Sequence, residues 1–321
     1  MDRNRLTDSS AHHVLDVAAE GGAVWAVEFI DRQRLVTVGG DDARAWDISS
    51  GEITMAYGPQ GVVSSVDVTA DGRYLVSANW GQTAKVWDLS SNQVVQTLGY
   101  ENAGELGAHQ GNVHAARFSQ LGDQGTVRIW NRESGRVIRV IKAHDGSVWA
   151  LAYSADGKWL ASAGADGRVA VWKLEDGTLV LDRVTHENGV RAVVFSADTT
   201  RLATAGEDRA ARTWRFAEGQ PLQLEKEILG HSAPVVGVDF HPFEPRLVTG
   251  AEDGIAKIWN IATAKADMDR DMDATIAAQE LLSLTGHRRG VTSVQFSPSG
   301  DAVLTSSRDG QLILWQTNPW K

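Results

Sequence analysis

Seven tryptophans recur along the chain, each closing a short apolar run: RAW at Trp46, KVW at Trp87, RIW at Trp130, AVW at Trp172, RTW at Trp214, KIW at Trp259 and ILW at Trp315. The intervals are 41, 43, 42, 42, 45 and 56 residues. A period near 42 marks an array of supersecondary units, each too small to bury its own faces and so obliged to stack on its neighbours. It overrides the prior from length, which for 321 residues would be about two domains.

A second marker fixes the frame. His144, His186, His231 and His287 each precede the tryptophan of their unit by 28 residues. Within each frame come an apolar-rich run (VWALAY 148–153, VRAVVF 190–195, VVGVDF 235–240, VTSVQF 291–296), turn residues such as Ala155-Asp156-Gly157, and a second run (WLASAG, RLATAG, RLVTGA, AVLTSS). An Asp-containing turn leads to the Trp run, and a fourth run such as TLVLDRV (178–184) completes the unit. Short strands between regular turns, with no helical period, predict an all-β chain of four strands per repeat.

Composition narrows the function classes. With 42% hydrophobic and 22% charged residues the chain can build a core. A net charge of −10 argues against nucleic-acid or anionic-membrane surfaces, which draw on clustered Lys and Arg. The absence of cysteine removes disulfides, thiol catalysis and Cys-ligated metal sites. MDRNRLTDSS leads into no apolar segment, and no run approaches the ~18 apolar residues of a membrane span; a cytoplasmic protein is expected. GxxxxGK[ST] and HExxH are missing, and no cofactor is expected.

The repeated Trp strands, the His frame and the Trp-Asp pairs Trp46-Asp47 and Trp87-Asp88 resemble the WD40-repeat family of β-propellers over nearly the whole chain. The resemblance implies four-stranded antiparallel blades around a channel. Seven Trp strands then imply one domain, 1–321, with seven blades. After Trp315 only QTNPWK follows, whereas HHVLDV (12–17) is a spare N-terminal strand. By family habit it should pair with 311–316 and close the ring, leaving no sheet edge.

Blades four to seven each carry a hydroxyl, a His, an Asp and a Trp: His144/Ser162/Asp166/Trp172, His186/Thr204/Asp208/Trp214, His231/Thr249/Asp253/Trp259 and His287/Thr305/Asp309/Trp315. Taken singly, such a set invites a hydrolase reading. Four copies at one spacing argue instead for a structural chain from indole to hydroxyl to imidazole to carboxylate, which the family also carries. Blades one to three have Gly40, Gly81 and Gln124 at the Asp position, and blade two has Pro59 at the His position, so that half of the ring should open more readily.

Blade three is short. His109 precedes Trp130 by 21 residues, and only Ser119–Gly125 separates Phe118 from Thr126, too little for two turns and a strand of about five residues. Skipping that strand would set two parallel strands side by side, which needs a connection of about a dozen residues. Either the unit is degenerate or residues of the full protein are missing from this stretch, and the spacing favours omission.

Function should lie where the units differ. Two insertions stand out. KADMDRDMDATIAAQ (265–279) lies between third and fourth strands on the family's wider face, and Met268, Met272 and Ile276 would share one side of a short partner-docking helix. Its alternating Asp residues resemble a calcium loop but lack the Gly and Glu such a loop needs, so no metal is expected. The other, 99–108, falls on the narrower face.

In the family, partners often contact the start of each first strand and the residue before the Asp position. The matching residues nominate Trp25, Trp80, His114, Trp149, Arg191, Glu207, Glu252 and Arg308 as a partner-binding set. Aromatic and Arg side chains dominate interface hot spots; the competing reading is packing between blades. The expectation is a non-catalytic protein-interaction scaffold or assembly subunit using the narrow face, with one or more protein partners. The alternatives are a propeller-framed hydrolase, with Glu207 and Glu252 the first carboxylates to consider, and a small-ligand sensor at the channel mouth.

Overall fold

Alternation of buried and half-exposed side chains along six-residue strands gives each repeat a sheet with two packing faces. In the fourth repeat Val148–Tyr153, Trp159–Gly164, Arg168–Lys173 and Leu179–Val184 form an antiparallel meander. The second strand is buried at all six positions because sheets cover it on both faces, whereas the outermost strand is mostly exposed. The Asp166-Gly167 turn needs a positive φ, which Gly167 adopts at 76° without a Cβ penalty.

The computed structural model describes residues 12–16, 22–40, 42–58, 63–69, 71–79, 83–99, 113–115, 125–131, 134, 136–262 and 276–316. Among these, five sheets have four antiparallel strands in meander order, and another has the same four with a short parallel strand added at its edge. They lie at 26–57, 63–99, 148–184, 190–228 and 235–285, with the sixth at 291–316, whose fourth strand is His12–Asp16. That strand runs antiparallel to Gln311–Gln316, with His12 opposite Trp315 and Asp16 opposite Gln311. The tryptophan register is shared: Leu35, Leu75, Leu160, Leu202, Leu247 and Val303 each pair with the Trp of their unit.

The third repeat departs from the seven four-stranded blades expected: it forms a sheet of three strands, Val113–Ala115, Thr126–Asn131 and Val137–Lys142. The two strands that skipping a strand would have set parallel are antiparallel, with His114 opposite Trp130. Chain reversal thus lets the first segment take the place of the missing second strand, the register position held by Leu160 or Leu202 elsewhere. His114 is the second residue of that first strand and pairs opposite Trp130.

Seven hydrophobic clusters each draw on two neighbouring sheets. One joins Val27 and Trp46 of the first repeat to Leu304 and Leu312 of the last, and another joins Trp130 of the three-stranded sheet to Val76 and Leu98 of the second. Burying side chains of this size stabilises by about 1.5–3 kcal/mol each. Of the 265–279 insertion, most lies outside the described residues. Its end is not helical: Ile276–Ala277 is a two-residue strand parallel to Lys226 and Glu227 on the outer edge of the fifth repeat's sheet. The insertion at 100–108 also lies outside the described residues.

Candidate functional site

The four His-hydroxyl-Asp-Trp sets come together as hydrogen-bonded chains inside their sheets. In the fifth repeat the Trp214 indole N–H donates to Thr204 Oγ1 at 3.0 Å, His186 Nε2 lies 2.8 Å from the same oxygen, and His186 Nδ1 lies 2.8 Å from Asp208 Oδ1. The sixth repeat gives 2.8, 2.8 and 3.0 Å for Trp259, His231 and Asp253 around Thr249. The fourth and seventh repeats have the same links through Ser162 and Thr305. Each hydroxyl is fully buried, accepting from indole and bonded to imidazole, so it has no free path to a substrate.

Burial disfavours the imidazolium and holds His186, His231 and His287 below the ordinary value of 6.5 despite their Asp neighbours. Burial opposes ionisation of Asp208, but hydrogen bonds from His186 and Arg212 outweigh it and hold the carboxyl well below the carboxylate range. Arg212 reaches Asp208 at 2.7 Å and Glu227 at 2.7 Å, tying the fifth repeat's network to its outer strand. In the first and second repeats the indole–hydroxyl link is present, Trp46 to Thr37 at 2.9 Å and Trp87 to Ser77 at 3.0 Å.

The second residue of the inner strand sits in a β-bulge in the fourth to seventh repeats. Pairing skips from Val148 to Ala150, from Val190 to Ala192, from Val235 to Gly237 and from Val291 to Ser293, leaving Trp149, Arg191, Val236 and Thr292 out of register. A bulge re-aims its side chain. Here it turns Trp149 across the seam onto the next repeat, where the ring lies so close to Gly189 that a Cβ would not fit. The Arg191 guanidinium stacks 4.3 Å from the centre of that ring and pairs with Glu207. Trp149 is therefore half-buried, packed between blades as well as presented at the face.

Arg308 pairs with Glu252 at 2.7 Å across the seam between the sixth and seventh repeats. Glu207 and Glu252 are thus each held by an arginine. Trp25 is 39% exposed and lines a cleft of about 550 Å³ with Arg288, Arg289, Arg308 and Asp309. Arg288 and Arg289 escape the sequence reading because they sit in the loop between His287 and the inner strand, a position no repeat marker identifies. Trp80 lies outside the described residues. The structure therefore groups Trp25 with Arg308 and, separately, Trp149 with Arg191 and Glu207.

A further group was unmarked in sequence. Glu28, Asp67 and Asp239 occupy the fifth position of VWAVEF, VSSVDV and VVGVDF on three inner strands. Burial, reinforced by the charge of Asp67, pushes Glu28 up to about 8. Burial likewise lifts Asp239 to about 7 and Asp67 to about 6. Water still reaches Asp67, and Glu28 and Asp239 are half-buried, so protein surrounds the three carboxyls without sealing them from solvent. Among the described residues, no group of three or more His, Asp or Glu could hold a metal ion.

A family model for the WD domain, G-beta repeat, matches residues 51–88, 135–173, 177–215, 222–260 and 278–316. Among curated proteins, the chain is 37% identical over 83 residues to the chromatin assembly factor 1 subunit FAS2 homolog of Oryza sativa subsp. japonica, covering 26% of this chain and 15% of that protein. It is 29% identical over 86 residues to protein hir1 of Schizosaccharomyces pombe (27% and 9%), and 33% identical over 82 residues to striatin of Mus musculus (25% and 10%). The matched segments thus span a small part of each of these relatives.

Proposed function

The chain belongs to the WD40-repeat family, and from that premise we propose that it is a non-catalytic interaction scaffold or assembly subunit that docks a protein partner through its narrow face. The observation that carries this reading is the contrast between its two kinds of polar residue. The hydroxyls and imidazoles that could do chemistry are locked in repeated internal chains, while Trp25 and Arg308 line an open cleft and the Trp149–Arg191 stack stands separately, at the start of its inner strands.

The relatives support an assembly role in general terms, since one is named as a subunit of a chromatin assembly factor. The finer architecture belongs to the same proposal: the three-stranded sheet stands as a reduced seventh blade, and His12–Asp16 closes the ring. No helix among the described residues is long and apolar enough to cross a membrane, and a cytoplasmic setting belongs to the same proposal.

The test is affinity purification of the chain from its native source, followed by quantitative mass spectrometry, with Trp25→Ala and Arg191→Ala run beside the wild type. A protein that co-purifies with the wild type and is depleted with either variant, both remaining folded, supports the reading. Undiminished recovery with both variants contradicts use of this face.

A further inference from the structure

The cleft between the first and last repeats has an unusual charge for this chain. Overall there are 41 acidic residues against 31 basic ones, yet the cleft is lined by three arginines, Arg288, Arg289 and Arg308, and one carboxylate, Asp309. That carboxylate is engaged inward: it bonds His287 Nδ1 at 3.2 Å and accepts the backbone N–H groups of Arg288 at 2.7 Å and Gln311 at 3.0 Å. Arg308 is held by Glu252. For the exposed guanidinium groups of Arg288 and Arg289, no carboxylate among the described residues lies within ion-pair distance. The remaining wall is the Trp25 indole, anchored by its backbone N–H donating to Val38 at 2.8 Å.

We infer that this cleft receives an acidic segment of a partner polypeptide, its carboxylates on Arg288 and Arg289 and an adjoining apolar side chain on Trp25. The inference rests on the scaffold reading and names the partner's chemistry. Arginine presents a planar fork that takes a carboxylate in two parallel hydrogen bonds, and about 550 Å³ is the size of a site for a few side chains. An indole beside two unpaired cations suits a strand of alternating acidic and apolar residues better than a bare anion. A nucleic-acid backbone would need a longer basic track than three arginines on a chain of net charge −10.

The test uses the full chain and a fluorescein-labelled peptide of alternating glutamate and leucine, read by fluorescence anisotropy. Binding to the wild type is expected, with the glutamine–leucine peptide weaker by roughly tenfold or more, since charge-assisted bonds are lost. Arg288→Glu/Arg289→Glu should abolish binding and Trp25→Ala weaken it, with circular-dichroism melts unchanged because both arginines are exposed. Equal binding of the glutamine peptide, or full binding by the charge-reversed variant, overturns the inference. So does binding of a phosphorylated peptide or single-stranded DNA without binding of the glutamate peptide. The two readings fail separately. A native partner retained by the charge-reversed variant but lost with Arg191→Ala defeats the cleft and leaves the scaffold. Binding of the glutamate peptide by a chain with no native protein partner defeats the scaffold and leaves the cleft.

Discussion

Gln295 donates from its amide nitrogen to Glu28 Oε1 at 2.6 Å, joining the inner strands of the last and first repeats. The backbone N–H of Phe29 returns a bond to Gln295 Oε1 at 3.2 Å, so one amide bridges the seam in both directions. The link places a carboxyl that burial and Asp67 push up to about 8 at the junction between the first and last repeats.

This carboxyl makes stability fall with rising pH. The folded state keeps the proton of Glu28 between the ordinary value of 4.5 and about 8, while the unfolded chain has lost it. Proton binding by the folded state therefore contributes stability that is full below 4.5 and lost on the way to 8. Asp239 adds to the slope up to about 7, and water at these sites screens part of it. Glu28→Gln should flatten the slope, measured as the urea midpoint at pH 5, 6.5 and 8 (roughly spanning the window). The variant gains on the wild type as pH rises; an unchanged slope contradicts the assignment.

The tetrads act in the opposite direction. His186, His231 and His287 are held neutral by burial, so the unfolded chain binds protons first as pH falls through 6.5 and stability drops. Asp208, held low in the folded state, adds a further loss as pH falls through 3.8. Thr204→Ala strands the Trp214 indole and His186 Nε2 in the core and should cost about 2–4 kcal/mol, whereas Thr204→Ser should cost about 1 or less. Equal losses in the two variants would show that the methyl group, not the hydroxyl, matters.

The tetrads were legible because they recur: a single His, Thr or Asp says little, but four sets at one spacing exclude a unique catalytic pocket. The Leu-to-Trp register follows from the same frame. The third repeat showed its deficit in sequence but not its solution, because residue counting cannot say which strand is dropped or that Val113–Ala115 turns antiparallel to the Trp strand. The cleft was half legible. Trp25 and Arg308 sit at repeat-marked positions, whereas Arg288 and Arg289 meet Trp25 only through contact between the first and last repeats, across most of the chain.

Local opening should follow the tetrads from repeat to repeat. The sheets at 148–184, 190–228, 235–285 and 291–316 carry full chains, whereas the first two repeats have Gly40 and Gly81 at the Asp position. Native-state hydrogen exchange should be slowest in Trp159–Gly164 and Arg201–Gly206 and faster in Arg34–Gly39 and Tyr74–Asn79. Uniform exchange would contradict this ranking.

The N-terminal strand should be needed for cooperative unfolding. Removing residues 1–20 takes away the partner of Gln311–Gln316 and leaves an unpaired edge. The truncated chain should melt earlier and over a broader range by calorimetry. An unchanged melting curve would show that the seam does not depend on that strand.

The central claim, that a protein docks on the face formed by the inner-strand ends, is tested most directly by hydrogen exchange on the chain with and without its purified partner. Protection is expected at 22–25, 288–292 and 307–309, and around Trp149 and Arg191, while the outer strands Leu179–Val184 and Gln223–Ile228 exchange as before. Protection confined to those outer strands, with the cleft and the Trp149–Arg191 stack unaffected, would contradict it.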